Sequence, residues 1–246
     1  MADVSSFKWT DDLAQLDELA RMVGRVVRLR AKGFPAPTYH PPFAVDEGVV
    51  IFQDAVAGES HDEVDHDLLD AIFELNELQA GEADLDHGWT EYLAGTLARG
   101  AGGYCVHDSL RHFSRETDQL LGWIEPLGDQ LGPLPCSDLV HLDFHHRNVL
   151  RVDGALSAVV DWEGCVPGDR AFDLVTFWFG MTHARSAPAV TARIWDRASK
   201  LAEPDALVAY FAHMALRRLD WTIRHYDSSE VVRVLDFIND GRRHLG

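Results

Sequence analysis

Apolar residues recur at three- and four-residue steps early in the chain: Leu13, Leu16, Leu19, Met22, Val23, Val26, Val27 and Leu29. That period predicts an amphipathic helix over residues 11–32, with Asp11 and Asp12 as caps and Gly33 as its stop. Gly33-Phe34-Pro35-Ala36-Pro37 predicts an extended connection, because proline disfavours helix in the residue before it. Val49-Val50-Ile51-Phe52-Gln53 reads as a buried strand, and Ala57-Gly58 as a turn or linker. Leu68, Leu69, Ile72, Phe73, Leu75 and Leu78 restore the helical period over 62–80. Glycines at 95, 100, 102 and 103 predict a loop over 81–104, and a further helix is expected over 109–123. The pattern then shortens to strands at 139–142 and 155–161, with Asp153-Gly154 as a hairpin turn between Val152 and Ala155. Residues 172–244 read as helix, broken near Ser186-Ala187-Pro188 and at Glu203-Pro204. Phe177, Trp178 and Phe179 are expected in the core. The order of elements predicts an α+β chain with a helix-rich main lobe.

Charge narrows the partners. The 246 residues hold 40 acidic and 22 basic side chains, a formal charge of −18. Nucleic acid and anionic membrane surfaces attract basic proteins, so both are excluded as expected partners. A cationic small molecule would be drawn in. Three widely spaced cysteines, with no CxxC pair, argue against a disulfide framework or a structural zinc site. The first residues carry no basic and apolar leader, and no apolar run approaches the ~20 residues of a membrane span. A cytoplasmic location is expected.

The densest chemistry lies in Val140-His141-Leu142-Asp143-Phe144-His145-His146-Arg147-Asn148, followed by Val159-Val160-Asp161-Trp162-Glu163-Gly164. Asp143 sits on a loop after a short strand. Asn148, five positions on, offers a neutral oxygen, and Asp161 ends a second apolar strand with an anionic one. Mg²⁺ takes such oxygens together with phosphate. The kinase catalytic loop has the same offset: H-x-D, then Asn five residues after the Asp, then a metal-binding Asp on a nearby strand. In that arrangement Asp143 accepts the hydroxyl proton, while Asn148 and Asp161 hold the metal.

The run H-x-D-x-H-x-x-N, followed by V-V-D-W-E-G and by G-D-x-x-x-D-L at 168–174, resembles the aminoglycoside phosphotransferase family, which includes choline, homoserine and antibiotic kinases. The resemblance covers the chain from about Lys8 onward and extends to Leu216-Arg217-Arg218-Leu219-Asp220-Trp221 in the C-terminal helices. It implies a protein-kinase-like fold, ATP and Mg²⁺ as cofactors, and a hydroxyl of a small cationic molecule, such as an aminoglycoside-like antibiotic, as acceptor. By the same resemblance Asp143 is the catalytic residue and Asn148 and Asp161 are the metal ligands. His141, His145, Asp169 and Asp173 then brace loops. Lys8 meets the nucleotide phosphates, and Gln53, Asp54 and Ala55 meet the adenine. Asp220, Glu230 and Asp236 are loose candidates for attracting a cationic acceptor, and Glu163 for supporting the metal.

The N-terminal part departs from the family. No Gly-rich phosphate loop precedes Lys8, and the first glycine is Gly24, inside a helical pattern. Where the family places a Glu to pair with the lysine, the chain reads Arg21-Met22-Val23-Gly24, with Glu18 a turn early. The expected division is therefore a truncated N-terminal lobe over 1–57 and a helical lobe over 58–246. A missing phosphate loop weakens nucleotide binding. Missing strands leave a sheet edge and apolar surface for a homodimer or a substitute element to cover. Two other functions stay open: a catalytically impaired binding module without a phosphate loop, and a metal-dependent hydrolase built on His141, His145 and His146.

Overall fold

The computed structural model describes residues 4–245 except Glu47, Asp86 and His87, with side chains from Phe7 onward. Residues 1–3, which begin the segment read above for a leader, lie outside the described residues.

Strand β1 (Val4–Thr10) leads through a 3-10 turn at Leu13–Gln15 into helix α1 (Leu16–Ala31). The Asp12 carboxylate starts that turn by accepting the Ala14 N–H at 3.0 Å. Strands β2 (Phe43–Val45) and β3 (Gly48–Asp54) follow, and the three strands form an antiparallel sheet with β3 in the centre. Its register sets Lys8 opposite Ile51 and Trp9 opposite Val50. Val49 and Ile51 point inward, whereas Phe7 and Phe43 stand exposed beside Phe52 and Trp9 is exposed on the same strand as Phe7.

Beyond the irregular segment after Asp54 come β4 (Glu59–Ser60), α2 (His66–Leu78), α3 (Trp89–Arg99), α4 (His107–Phe113) and α5 (Arg115–Gln130). Two small sheets carry the chemistry-bearing segments. In one, β6 (Val149–Val152) and β7 (Ala155–Val159) form a hairpin flanked by β4; in the other, β5 (Asp138–Val140) pairs with β8 (Val166–Gly168). Four helices close the chain: α6 (Ala171–Gly180), α7 (Pro188–Leu201), α8 (Pro204–His225) and α9 (Ser228–Arg242). Helix α6 is apolar all round and buried along almost its whole length, including Phe177, Trp178 and Phe179, so it forms the middle of the core.

Two sequence expectations need correction. The stretch 81–104 is not all loop, because α3 occupies its centre. Trp89, Leu93 and Leu97 recur every four residues and are buried, but the flanking glycines mask the period. Gly88 and Gly100 bound that helix with φ of 78° and 73°, where L side chains are strained. The helix expected over 109–123 is two helices, split at Ser114, whose hydroxyl accepts the Thr117 N–H in a capping box. The second runs on through Pro126 to Gln130, and Gly128 lies so close to α3 that a Cβ there would fall 2.5 Å from the Ala94 carbonyl oxygen.

Candidate active site

The loop after β5 is held by one buried carboxylate. Asp173, in the first turn of α6, accepts the His141 N–H at 2.7 Å, the Leu142 N–H at 3.1 Å and the Gln79 side-chain amide at 2.6 Å. Burial raises the Asp173 carboxyl to about 7, against the pull of these donors. Leu142 has φ of 68°, a strained value for a side chain of its size. Its peptide is pinned from both sides, since Arg217 of α8 donates to the Leu142 carbonyl at 2.7 Å. The ring of His141 is fully buried. Its Nε2 donates to the Val160 carbonyl at 2.8 Å and its Nδ1 accepts the Asp143 N–H at 3.3 Å, which fixes one neutral tautomer. Burial lowers this imidazole to about 4, in keeping with the neutral form.

Asp143 and Asn148 emerge from this frame. Arg217 donates to one Asp143 carboxylate oxygen at 2.8 Å, and His145 Nε2 lies 3.5 Å from the other. Burial raises the Asp143 carboxyl, but His145 and the Arg217 charge more than offset it and hold it well below the usual range. Asn148 donates its side-chain amide to the Asp143 carbonyl at 2.9 Å. His145 Nδ1 accepts the Arg147 N–H at 3.2 Å, which caps the turn between them. Asp169 accepts the Ala171 N–H and the Tyr210 hydroxyl, each at 2.9 Å, where the chain enters α6.

Asp161 ends the neighbouring segment in a left-handed conformation, φ 73° and ψ 50°, which aspartate tolerates better than most residues. Val160, just before it, donates to the Asn148 carbonyl at 2.9 Å and accepts from His141, so Asp161 is tied to the loop that carries Asp143. From β1, Lys8 hydrogen-bonds Asp161 and reaches Glu163 at 2.7 Å. Burial raises the Asp161 carboxyl, but the lysine outweighs it and the net shift is downward; Glu163, more deeply placed, is raised by burial despite Lys8. The other Glu163 oxygen is buried without a partner. Glu18 does not pair with Lys8. It binds Arg21 at 2.9 Å and Arg25 at 2.6 Å, and Arg25 is buried against the Cys165 carbonyl.

Asp143, Asp161 and Glu163 line one cleft of about 730 Å³. Gln53, Asp54 and Ala55 are not in its wall. The Asp54 N–H is taken by the Thr38 carbonyl at 2.9 Å and its carboxylate by His40 at 2.8 Å, while the Gln53 side-chain oxygen is buried without a partner. The chain's acidity does not extend to the cleft, where four arginines face four carboxylates. Asp220 is buried and bound by Arg224 and Ser109, at 2.8 and 2.7 Å, and Glu230 is bound by Arg233. Asp236 stands exposed on α9. The sequence reading passed over Arg217 and Arg218 as site residues. They lie about 75 positions beyond the loop they approach, and the only signal was their place in the family-like run 216–221.

The phosphotransferase enzyme family matches residues 10–208. Hygromycin-B 4-O-kinase of Escherichia coli is 28% identical over 102 residues, a stretch that is 42% of this chain and 28% of that protein's length. Among solved structures, a thermostable mutant of aminoglycoside phosphotransferase APH(4)-Ia superposes with a TM-score of 0.67 at 15% identity, covering 96% of this chain and 86% of that one. Its ternary complex with ADP and hygromycin B gives 0.64 at 16% identity, over 90% and 81% of the two chains. Aminoglycoside phosphotransferase APH(3'')-Id from Streptomyces rimosus, bound to ADP and streptomycin, gives 0.58 at 15% identity, over 85% of each. With the family spanning most of its length and the fold shared almost end to end, the chain belongs to the phosphotransferase enzyme family and has its kinase-like α+β fold.

Proposed function

We propose that the protein transfers the γ-phosphoryl group of ATP to a hydroxyl of a small polar molecule. The observation that carries this reading is the joint placement of Asp143 and Asp161 on one cleft, cross-tied through His141, Val160 and Asn148. Asp143, with its carboxylate ionised, orients the acceptor hydroxyl and takes its proton as the new bond forms. Arg217 and His145 hold the Asp143 carboxylate in place and balance its charge. Residues 1–57 contribute Lys8 towards the nucleotide phosphates, and residues 58–246 carry the catalytic loop, the metal ligands and the acceptor side.

The donor set fits Mg²⁺. Asp161 supplies a carboxylate and Asn148 an amide oxygen, and Mg²⁺ is commonly held by one or two carboxylates together with substrate phosphates. The Lys8 ammonium lies between Asp161 and Glu163, the position of a cation held by two carboxylates. When bound, the ion neutralises charge on the phosphates. The protein's own share is orientation and the exclusion of water.

Titration of Mg²⁺-ATP by calorimetry, with Asp161→Asn as control, tests the reading. Saturable binding that collapses in the variant is expected. Phosphoryl transfer is then followed over a panel of aminoglycosides, neutral polyols and hydroxy acids, since two relatives of the same fold bind hygromycin B and streptomycin. A second reading, a binding module without catalysis, draws on the pairing of both carboxylates with cations of the chain itself. Absence of heat at millimolar ATP supports that reading and rejects the kinase. The hydrolase reading loses His141, whose ring is engaged at both nitrogens, and among the described residues no three His, Cys, Asp or Glu side chains come together as a metal site.

A further inference from the structure

Three of the four arginines around the cleft have a carboxylate beside them. Arg217 binds Asp143, Arg224 binds Asp220, and Arg147 lies 3.6 Å from Asp62. Arg218 has none within ion-pair distance among the described residues. It donates to the Thr182 hydroxyl at 3.2 Å, and its Nε is buried with no partner. Burial pulls this guanidinium below its ordinary range, against the favourable charge of Glu230.

Two imidazoles that line the same cleft also have buried ring nitrogens without a hydrogen-bond partner. His146 is 3% exposed and neither ring nitrogen makes a hydrogen bond; its nearest carboxylate, Asp62, lies 3.7 Å from Nε2. A Cβ on Gly180 would meet its Nδ1 at 3.4 Å, so the glycine leaves room for the ring. His183 Nδ1 lies 2.8 Å from the Arg233 guanidinium and 3.4 Å from Glu230. A guanidinium can only donate, so the shorter contact makes Nδ1 the acceptor and leaves the ring proton on Nε2. That Nε2 is buried without a partner.

Buried donors without acceptors cost free energy, and Arg218 Nε, His183 Nε2 and the one N–H of the neutral His146 ring, all on residues lining the cleft, suit a ligand rich in acceptors. The charges nearby have the same bias. Arg147, Arg218 and Arg233 are opposed there by Glu230, which Arg233 binds, and by Asp62. A polycation would meet repulsion on this wall.

We propose that Arg218, His146 and His183 form an anion subsite that holds a carboxylate or phosphate of the acceptor while its hydroxyl faces Asp143. This rests on the phosphotransfer reading above and sharpens it: the acceptor is a small hydroxy compound bearing an acidic group.

The test titrates inorganic phosphate and, separately, acetate into the full chain in magnesium-free buffer, which keeps both off the Asp161 end. Saturable binding is expected. It should weaken at least about tenfold in Arg218→Gln, the scale of a lost charged hydrogen bond, with partial recovery in Arg218→Lys. Tighter phosphate than acetate points to a phosphorylated acceptor, and the reverse to a hydroxy acid. His183→Ala, a change at a partly exposed side chain, should also weaken binding and serves if Arg218→Gln does not fold. No saturable binding of either probe, or equal binding in wild type and these variants, overturns the proposal. Asp161→Asn separates the two readings, because it should lose Mg²⁺-ATP yet keep phosphate affinity in this buffer. Failed ATP binding with intact phosphate binding rejects phosphotransfer alone. The reverse rejects the subsite alone.

Discussion

Asp143 and Asp161 face the same cleft, but the segments that carry them are anchored differently. The Asp143 loop is fixed from beneath by Asp173, from the side by the buried ring of His141 and from above by Arg217 on the Leu142 carbonyl. Asp161 shares the His141 tie through Val160 and is about as exposed as Asp143, but its cation partner is a lysine 45% exposed, whereas Arg217 is 29% exposed. Lys8 sits on a strand whose outer face shows Phe7 and Trp9 to solvent. One carboxylate is preorganised by a core. The other has an exposed partner that, on the proposed reading, a metal and a phosphate would replace. The difference suits a reaction in which the acceptor side must be rigid and the nucleotide side must load and unload.

The sharpest way to break this comparison is to remove the brace. Asp173→Ala leaves two buried backbone N–H groups and the Gln79 amide without their acceptor. We expect a loss of about 3–5 kcal/mol in denaturant unfolding, because each orphaned donor costs ~1–3 kcal/mol and the costs are not fully additive. A loss below ~1 kcal/mol would show that the loop is held by something other than Asp173.

Proton uptake offers a second, smaller effect. His141, His146 and His213 are lowered by burial from an ordinary 6.5 to about 4, about 4 and about 3. Between pH 4 and 6.5 the unfolded chain therefore binds more protons at these sites, so stability rises with pH across that window. Asp173, raised to about 7, acts in the opposite sense from its ordinary 3.8 upward, with one proton against three. The net expectation is a fold that weakens as pH falls from 6.5 towards 4. His213→Leu should flatten that slope by up to ~1.4 kcal/mol per pH unit, as read from unfolding midpoints across a pH series. An unchanged slope would mean that His213 is charged in the fold.

The smallest expected effect lies at the other carboxylate. Lys8→Ala should change stability by under ~1 kcal/mol, since its pair with Asp161 is nearly half exposed and screened by salt, while the more buried Glu163 is already shifted towards its neutral form. A larger loss would mean that the N-terminal strand is anchored through Asp161, and the contrast between the two sides would disappear.

Much of the site was legible because its chemistry is local in sequence. His141, Asp143, Asn148 and Asp161 fall within 21 positions, and the kinase-like spacing places Asp143, Asn148 and Asp161 in roles that no single residue would reveal. The helices with a continuous apolar stripe were legible for the same reason. Helix α3 was not, because its end glycines resemble loop punctuation until both ends are seen to need positive φ. Glu18 illustrates a different failure. Its spacing from Lys8 could be counted, but its partner Arg25 is fixed by burial against Cys165, 140 positions away.

The sequence by itself determined the family and the helix-rich lobe and offered the candidate residues at 141–161, because periodicity and short motifs are properties of neighbours in the chain. Only the tertiary structure decided the charge of the cleft. The chain carries −18 overall, yet folding buries Asp220 against Arg224, pairs Glu230 with Arg233 and brings Arg217 and Arg218 to the loop around Asp143. Net charge sums over all residues, whereas a ligand meets those that converge on one wall, and that convergence exists only once distant helices have packed.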